Sequence, residues 1–180
     1  MIRLCFLSIL LFLSACNNPS SNYEPPEYEK LADRITLKTS DKIERETGLR
    51  LIGTGGGMMN KVRMMAMIFV CYKEINMEEG RELVIYGVNE YLSAINSNEE
   101  LRPHLVHYPF KPQDVQITLH IRGSDNRGVP IGALSVVEEI EGKVVYKVFE
   151  PYPVVIKRIR EETFEEAVQL LNEKKNDKST

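Results

Sequence analysis

The sequence predicts an α+β fold: a mainly antiparallel sheet of about five to six strands, packed with two or three helices. Three observations lead to it. Three stretches repeat their apolar residues at helical spacing, and several others alternate, or run apolar, as strands do. Their order is helix, two strands, helix, three or four strands, helix, which lacks the regular alternation of parallel-sheet proteins.

The first helix is read over "YEKLADRITLKTSDKIERETG", with Leu31, Ile35 and Ile43 roughly on one side and Gly48 in the C-cap position. Its apolar stripe is thin, so it belongs on the surface of the core. Leu49 to Gly57 and Val62 to Tyr72 then form a hairpin around "MMNK". Both faces of the second strand are apolar, which predicts an interior strand covered on both sides. Asn76 followed by Glu79 is a capping box that opens a helix over "MEEGRELVIYGVNEYLSAIN". Its Val84, Val88, Leu92 and Ile95 recur at helical spacing, and Gly80, Gly87 and Ala94 repeat every seven residues as a groove that admits another backbone.

After the proline-punctuated loop "RPHLVHYPFKP", Val115 to Arg122 alternates between apolar and polar residues. "GSDNRG" makes a turn, Ile131 to Glu139 pairs with Lys143 to Phe149 across "IEG", and Tyr152 to Ile159 adds another strand. Thr163 with Glu166 repeats the capping box and starts a last helix through Phe164, Ala167, Val168 and Leu171.

Ahead of the domain, residues 1–15 place Arg3 before an unbroken apolar run from Leu4 to Phe12 that ends in small residues. That is the pattern of a secretory signal, and the run falls short of the roughly 20 apolar residues a membrane-spanning helix needs. Leu13, Ser14, Ala15 and Cys16 complete a branched, small, small, cysteine series that resembles the lipobox of bacterial lipoproteins. The resemblance implies cleavage before Cys16, acylation of its sulfur and of the new amino terminus, and durable attachment to a bilayer. In Gram-negative lipoproteins an aspartate after the lipidated cysteine commonly means inner-membrane retention, so the resemblance, with Asn17 in that place, implies outer-membrane sorting ahead of the inner-membrane alternative. Residues 16–27 are the lipidated cysteine and a flexible linker, 28–175 a single domain, and 176–180 a disordered tail. The ten residues Asn17 to Pro26 reach roughly 17 Å as a coil and about 30 Å if extended, so the domain stays beside its membrane.

Of 23 Lys and Arg and 26 Asp and Glu, only Arg3 leaves with the leader, which gives a mature net charge of about −4. Nucleic acid is therefore excluded as a partner. "IKRIR" at Ile156 to Arg160 reads as the solvated face of a strand. With Cys5 removed and Cys16 acylated, Cys71 has no disulfide partner and reads as a small buried hydrophobe.

"LIGTGGGMMN" does not carry a phosphate loop. Gly57 is followed by Met58 rather than Lys-Ser or Lys-Thr, and the next element is a strand rather than a helix whose amides could hold the anion. In an extended chain Gly53, Gly55 and Gly57 share one face with Leu51 and leave a sheet surface nearly free of side chains. Either the helix bearing Gly80 and Gly87 or a partner protein must lie against it. Beside Met58 and Met59 such a strip suits association. Tyr108 and Phe110 of "HYPFKP" either plug the end of the sheet or form a second candidate contact. No zinc-protease, Gly-x-Ser-x-Gly or Ser-x-x-Lys pattern marks the mature domain, and "EETFEE" and "VEEIEG" read as solvated faces. No catalytic residue, metal ligand or cofactor is assigned. The function read is an envelope lipoprotein, held to the bilayer through Cys16, whose domain acts as a binding or structural accessory module, with another envelope protein as the candidate partner. The alternative is a small periplasmic hydrolase or metal-site protein that gathers His104, His107 and His120.

Overall fold

The computed structural model describes residues 24–151 and 154–177. Among them the chain runs α1 (Glu27–Thr47), β1 (Arg50–Gly57), β2 (Met64–Cys71), α2 (Met77–Asn96), β3 (Val115–Ile121), β4 (Leu134–Ile140), β5 (Lys143–Pro151), β6 (Val154–Thr163) and α3 (Phe164–Asp177). The strands form one sheet in the order of the chain, β1-β2-β3-β4-β5-β6. This is the α+β fold of the sequence reading. The leader, Cys16 and most of the linker lie outside the described residues. Helix α3 runs to Asp177 and so takes in the start of the tail expected from 176, while 178–180 lie outside.

Every neighbouring pair is antiparallel except β2 with β3, where Met65 to Cys71 run alongside Val115 to Ile121 in parallel. A parallel pair needs a crossover of roughly a dozen residues or more, and the segment containing α2 supplies it. The turn between β4 and β5 is the tight reversal expected at "IEG". Glu141 and Gly142 have φ of 54° and 79°, the pair of left-handed residues that a two-residue hairpin uses. Strand β4 starts at Leu134 rather than Ile131, because Pro130 to Ala133 closes a turn in which Gly132 has φ 80°.

Helix α1 buries Ala32, Ile35, Thr36, Thr39, Ser40 and Ile43. Half of that face is hydroxyl-bearing, so its oxygens bond locally: Thr36 Oγ1 donates to Ala32 O and Thr39 Oγ1 to Ile35 O, both at 2.8 Å. The helix ends at Gly48, whose φ of 74° lets its N–H turn back to Glu44 O at 2.9 Å. Both capping boxes form. Asn76 Oδ1 accepts from the Glu79 N–H at 2.9 Å, and Thr163 Oγ1 accepts from Glu166 N–H at 3.1 Å.

The helices share one face of the sheet. Met65, Met67 and Phe69 of β2, Ile117 and Leu119 of β3, and Tyr146 of β5 meet Val84, Val88, Tyr91 and Ile95 of α2 in the core. Strand β2 is buried on both sides, Ala66 and Val70 included, as its double apolar pattern predicts. A Cβ on Gly80 would fall 2.8 Å from Val137 Cγ2, and one on Gly87 3.4 Å from Ile117 Cγ2. The small-residue groove of α2 therefore receives β3 and β4, at the centre of the sheet, and leaves the glycines of β1 uncovered by it.

Two glutamates read as solvated are buried instead. In a strand, adjacent residues face opposite sides, so one carboxyl of each "EE" is turned to the face that the helices cover. Glu162 of β6 does so with partners: Arg81 Nε donates to its Oε1 at 2.7 Å, Tyr146 Oη at 2.5 Å, and Arg160 Nε donates to its Oε2 at 2.9 Å. Burial pushes its carboxyl up, but the Arg81 and Tyr146 bonds and the Arg160 charge outweigh that and hold it below the ordinary value. Glu139 of β4 is fully buried with fewer partners. Its Oε1 accepts from Gly142 N–H at 2.7 Å, while Oε2 has no hydrogen-bond partner.

Candidate contact edge at β1

Strand β1 is an edge strand, hydrogen-bonded to β2 alone. Its pairing contains a bulge: Leu51 opposes Phe69 and Gly53 opposes Ile68, so Ile52 is an extra residue. One inserted residue exchanges the two faces of everything beyond it. Gly53, Gly55 and Gly57 consequently do not share Leu51's face. Leu51 opposes the core residue Phe69, whereas Gly53 and Gly55 stand beside Ile68 and Ala66 on the side of the sheet that carries no helix among the described residues. Ile52 itself is 57% exposed.

The glycine strip is open. A Cβ on Gly55 would meet only Ala66 Cβ, at 3.8 Å, and one on Gly53 would meet Ile68 Cδ1 at 3.6 Å, both ordinary contacts inside the sheet. In an edge strand, backbone groups on the outer side lack a ladder partner, and here almost no side chain screens them. Leu51 is the exception, because its N–H reaches Glu44 Oε1 at 2.6 Å.

The hairpin tip is held against α1. Tyr28 Oη donates to Met58 O at 3.0 Å, and its ring stacks on His104 at a centroid distance of 5.2 Å. Val62 N–H donates to His104 O at 2.8 Å and Val106 N–H to Val62 O at 2.9 Å, which locks the following segment to the loop. That use of Val62 outside the sheet explains why β2 begins at Met64. Met58 packs on the core while Met59 is 90% exposed. Between α1 and β1 lies a groove of about 550 Å³, lined by Glu29 and Asp33 above and by Thr54 to Gly56, Met58 and Met59 below. At the other end of the same edge a depression of about 420 Å³ is lined by Arg45, Arg50 and Glu44.

The second candidate contact divides. Tyr108 is 47% exposed, with the Arg102 guanidinium 4.5 Å over its ring. Phe110 is buried, and the Asn96 side chain clamps its backbone, accepting from Phe110 N–H at 2.8 Å and donating to its carbonyl at 2.9 Å. It anchors the loop and offers nothing to a partner.

The histidines stand in three settings. His104 stacks on Tyr28, His107 Nε2 pairs with Asp114 Oδ2 at 2.8 Å, and His120 lies in β3 opposite Val70 and Val136. Burial, with the nearby Arg122 charge, holds His120 below the usual imidazole value. Among the described residues no group of three His, Cys, Asp or Glu is placed to hold a metal ion. Cys71 is buried as expected, and desolvation pushes its thiol up, away from the reactive thiolate. No helix among the described residues is long and apolar enough to cross a membrane.

No protein-family model, curated protein or solved structure matches the chain.

Proposed function

We propose that the chain is a bacterial envelope lipoprotein, anchored through acylated Cys16 at the periplasmic face of the outer membrane, whose domain binds an extended segment of a second protein chain in the envelope at the β1 edge. The observation that carries the reading is the open, nearly side-chain-free edge strand, with Met59 exposed at its end and a groove beneath α1 alongside. An added strand would hydrogen-bond to backbone groups that otherwise only water satisfies, and the adaptable Met58 and Met59 thioethers would accommodate its side chains. Placement at the membrane draws on the "LSAC" series and the leader before it.

A photo-crosslinking amino acid in place of Met59, incorporated in cells, tests the edge. A covalent adduct is expected, and Gly55→Val should abolish it while the domain stays folded, since the added Cβ has room. Absence of any adduct, or an adduct that survives Gly55→Val unchanged, overturns the reading. Labelling with radioactive palmitate tests the anchor: incorporation is expected in the natural chain and lost in Cys16→Ala. No incorporation in either refutes the anchor.

A further inference from the structure

We infer that the strand taken up at this edge is β1 of a second copy of the chain, forming an antiparallel two-fold pair that joins two six-stranded sheets into one. This rests on the reading of β1 as the contact edge and adds the identity of its partner.

A two-fold interface must be self-complementary: whatever stands at one end of the surface must fit what stands at the other. The β1 edge meets that condition twice over. In shape, the face of the edge away from the helices is bare, where Gly53 and Gly55 stand beside Ile68 and Ala66. Antiparallel pairing about a two-fold axis at Thr54 sets Gly53 opposite the other copy's Gly55, so that on that face the two backbones meet with no side chain between them.

In charge, the rim that α1 lays along the same edge carries Glu29 and Asp33 at one end and Arg45 and Arg50, beside Glu44, at the other, while Lys61 and Arg63 lie beyond Gly57. Chain reversal at Gly48 lays α1 antiparallel to β1, and the Tyr28 bond to Met58 O fixes the start of α1 over the glycine end. Glu29 and Asp33 thus stand at that end, and Arg45 and Arg50 stand at the other. Asp33 makes no hydrogen bond or ion pair among the described residues. The Arg50 side chain is 70% exposed and reaches Glu44 only at 3.9 Å. A two-fold rotation brings the acidic end of each copy onto the basic end of the other, giving two equivalent opposite-charge contacts.

The other edge fails this condition. Strand β6 carries Lys157, Arg158 and Arg160 in its middle, so self-pairing centred there sets like charges opposite one another. Those cations also already have carboxylate partners, in Glu150, Glu161 and Glu162.

Charge reversal in the membrane-bound full chain tests the pairing. Two epitope-tagged copies are expressed in the same cells, each with the photo-crosslinker at Met59. The natural pair should give an adduct at twice the chain mass. Asp33→Arg alone, and Arg50→Asp alone, should each cut that adduct at least fivefold, since each sets like charges together. Asp33→Arg co-expressed with Arg50→Asp should restore it in the mixed pair, where both contacts become opposite again. Both positions are on the surface, and circular dichroism of each variant confirms that it folds. An adduct of a different mass, or no restoration in the mixed pair, overturns the two-fold pairing while the reading of the edge stands. Loss of every adduct overturns both.

Discussion

Replacing Glu139 with glutamine should stabilise the domain at neutral pH and leave it nearly unchanged in acid. Glu139 is fully buried, and its Oε2 has no partner. Burial, reinforced by the nearby Asp114 charge and opposed only by the Gly142 N–H bond, pushes its carboxyl up to about 8 from an ordinary value of 4.5. Because the folded-state value is raised, the folded chain binds the proton more tightly than the unfolded chain does. The stability this confers is full below pH 4.5 and is lost progressively as pH rises towards 8. At about 1.36 kcal/mol per pH unit, the loss between pH 4.5 and pH 7 is about 3 kcal/mol. Glutamine keeps the acceptor for Gly142 and cannot ionise, so it escapes that loss. Urea unfolding followed by circular dichroism at pH 5 and pH 7.5 measures the difference. With a slope of about 2 kcal/mol/M, the glutamine variant should unfold roughly 1 to 2 M later than the natural chain at pH 7.5, with the two nearly coincident at pH 5. Equal offsets at both pH values would mean that Glu139 is solvated or paired in the folded state, and the reasoning would fail.

Three further outcomes follow from the packing. Arg81→Met removes the bidentate partner of Glu162 and leaves a buried carboxylate held only by Tyr146 and Arg160; a loss of about 3 kcal/mol in urea unfolding is expected. Gly80→Val drives side-chain atoms into Val137, already 2.8 Å from a Cβ, and should cost about 2 kcal/mol or more, against less than about 1 kcal/mol for Gly55→Ala on the open strand. Cys71, buried and with its thiol pushed up, should resist a thiol reagent in the native protein and react at once in urea.

What the sequence made legible was local. The α2 and α3 starts were readable because a capping box needs only residues three apart, and the β4–β5 reversal because "EG" suits two left-handed residues. The parallel β2–β3 pair was not, since nothing local states which strands meet across a crossover of more than forty residues. The bulge at Ile52 was equally hidden: alternation puts Gly53 with Leu51, and only the pairing with β2 shows one residue too many. Phe110 left two readings open, an exposed contact or a plug, and it is buried as a plug, held by the Asn96 clamp fourteen residues earlier. Glu139 and Glu162 carried a usable signal. Adjacent glutamates in a strand with one face under helices cannot both be wet, and that rule would have marked one of each pair as interior.

The short tether bears on how much the β1 edge must do. Leu51 N–H is already bonded to Glu44, so the ladder between two copies is confined to the few residues around Gly53 and Thr54. Such a contact is weak in dilute solution, where association must offset the lost freedom of both partners. On the proposed reading, ten linker residues hold each domain within roughly 17 to 30 Å of the leaflet, in one shared layer and one orientation range. Effective concentrations under such confinement reach the millimolar range, enough for a short ladder with two charge contacts to form. The edge can then remain bare on a solitary chain, without the long apolar surface that would drive aggregation before export is complete. The consequence is measurable: Cys16→Ala, expressed to the same level but free of the membrane, should give the Met59 adduct at a small fraction of the anchored chain's yield. Equal yields would mean that the tether contributes nothing to pairing.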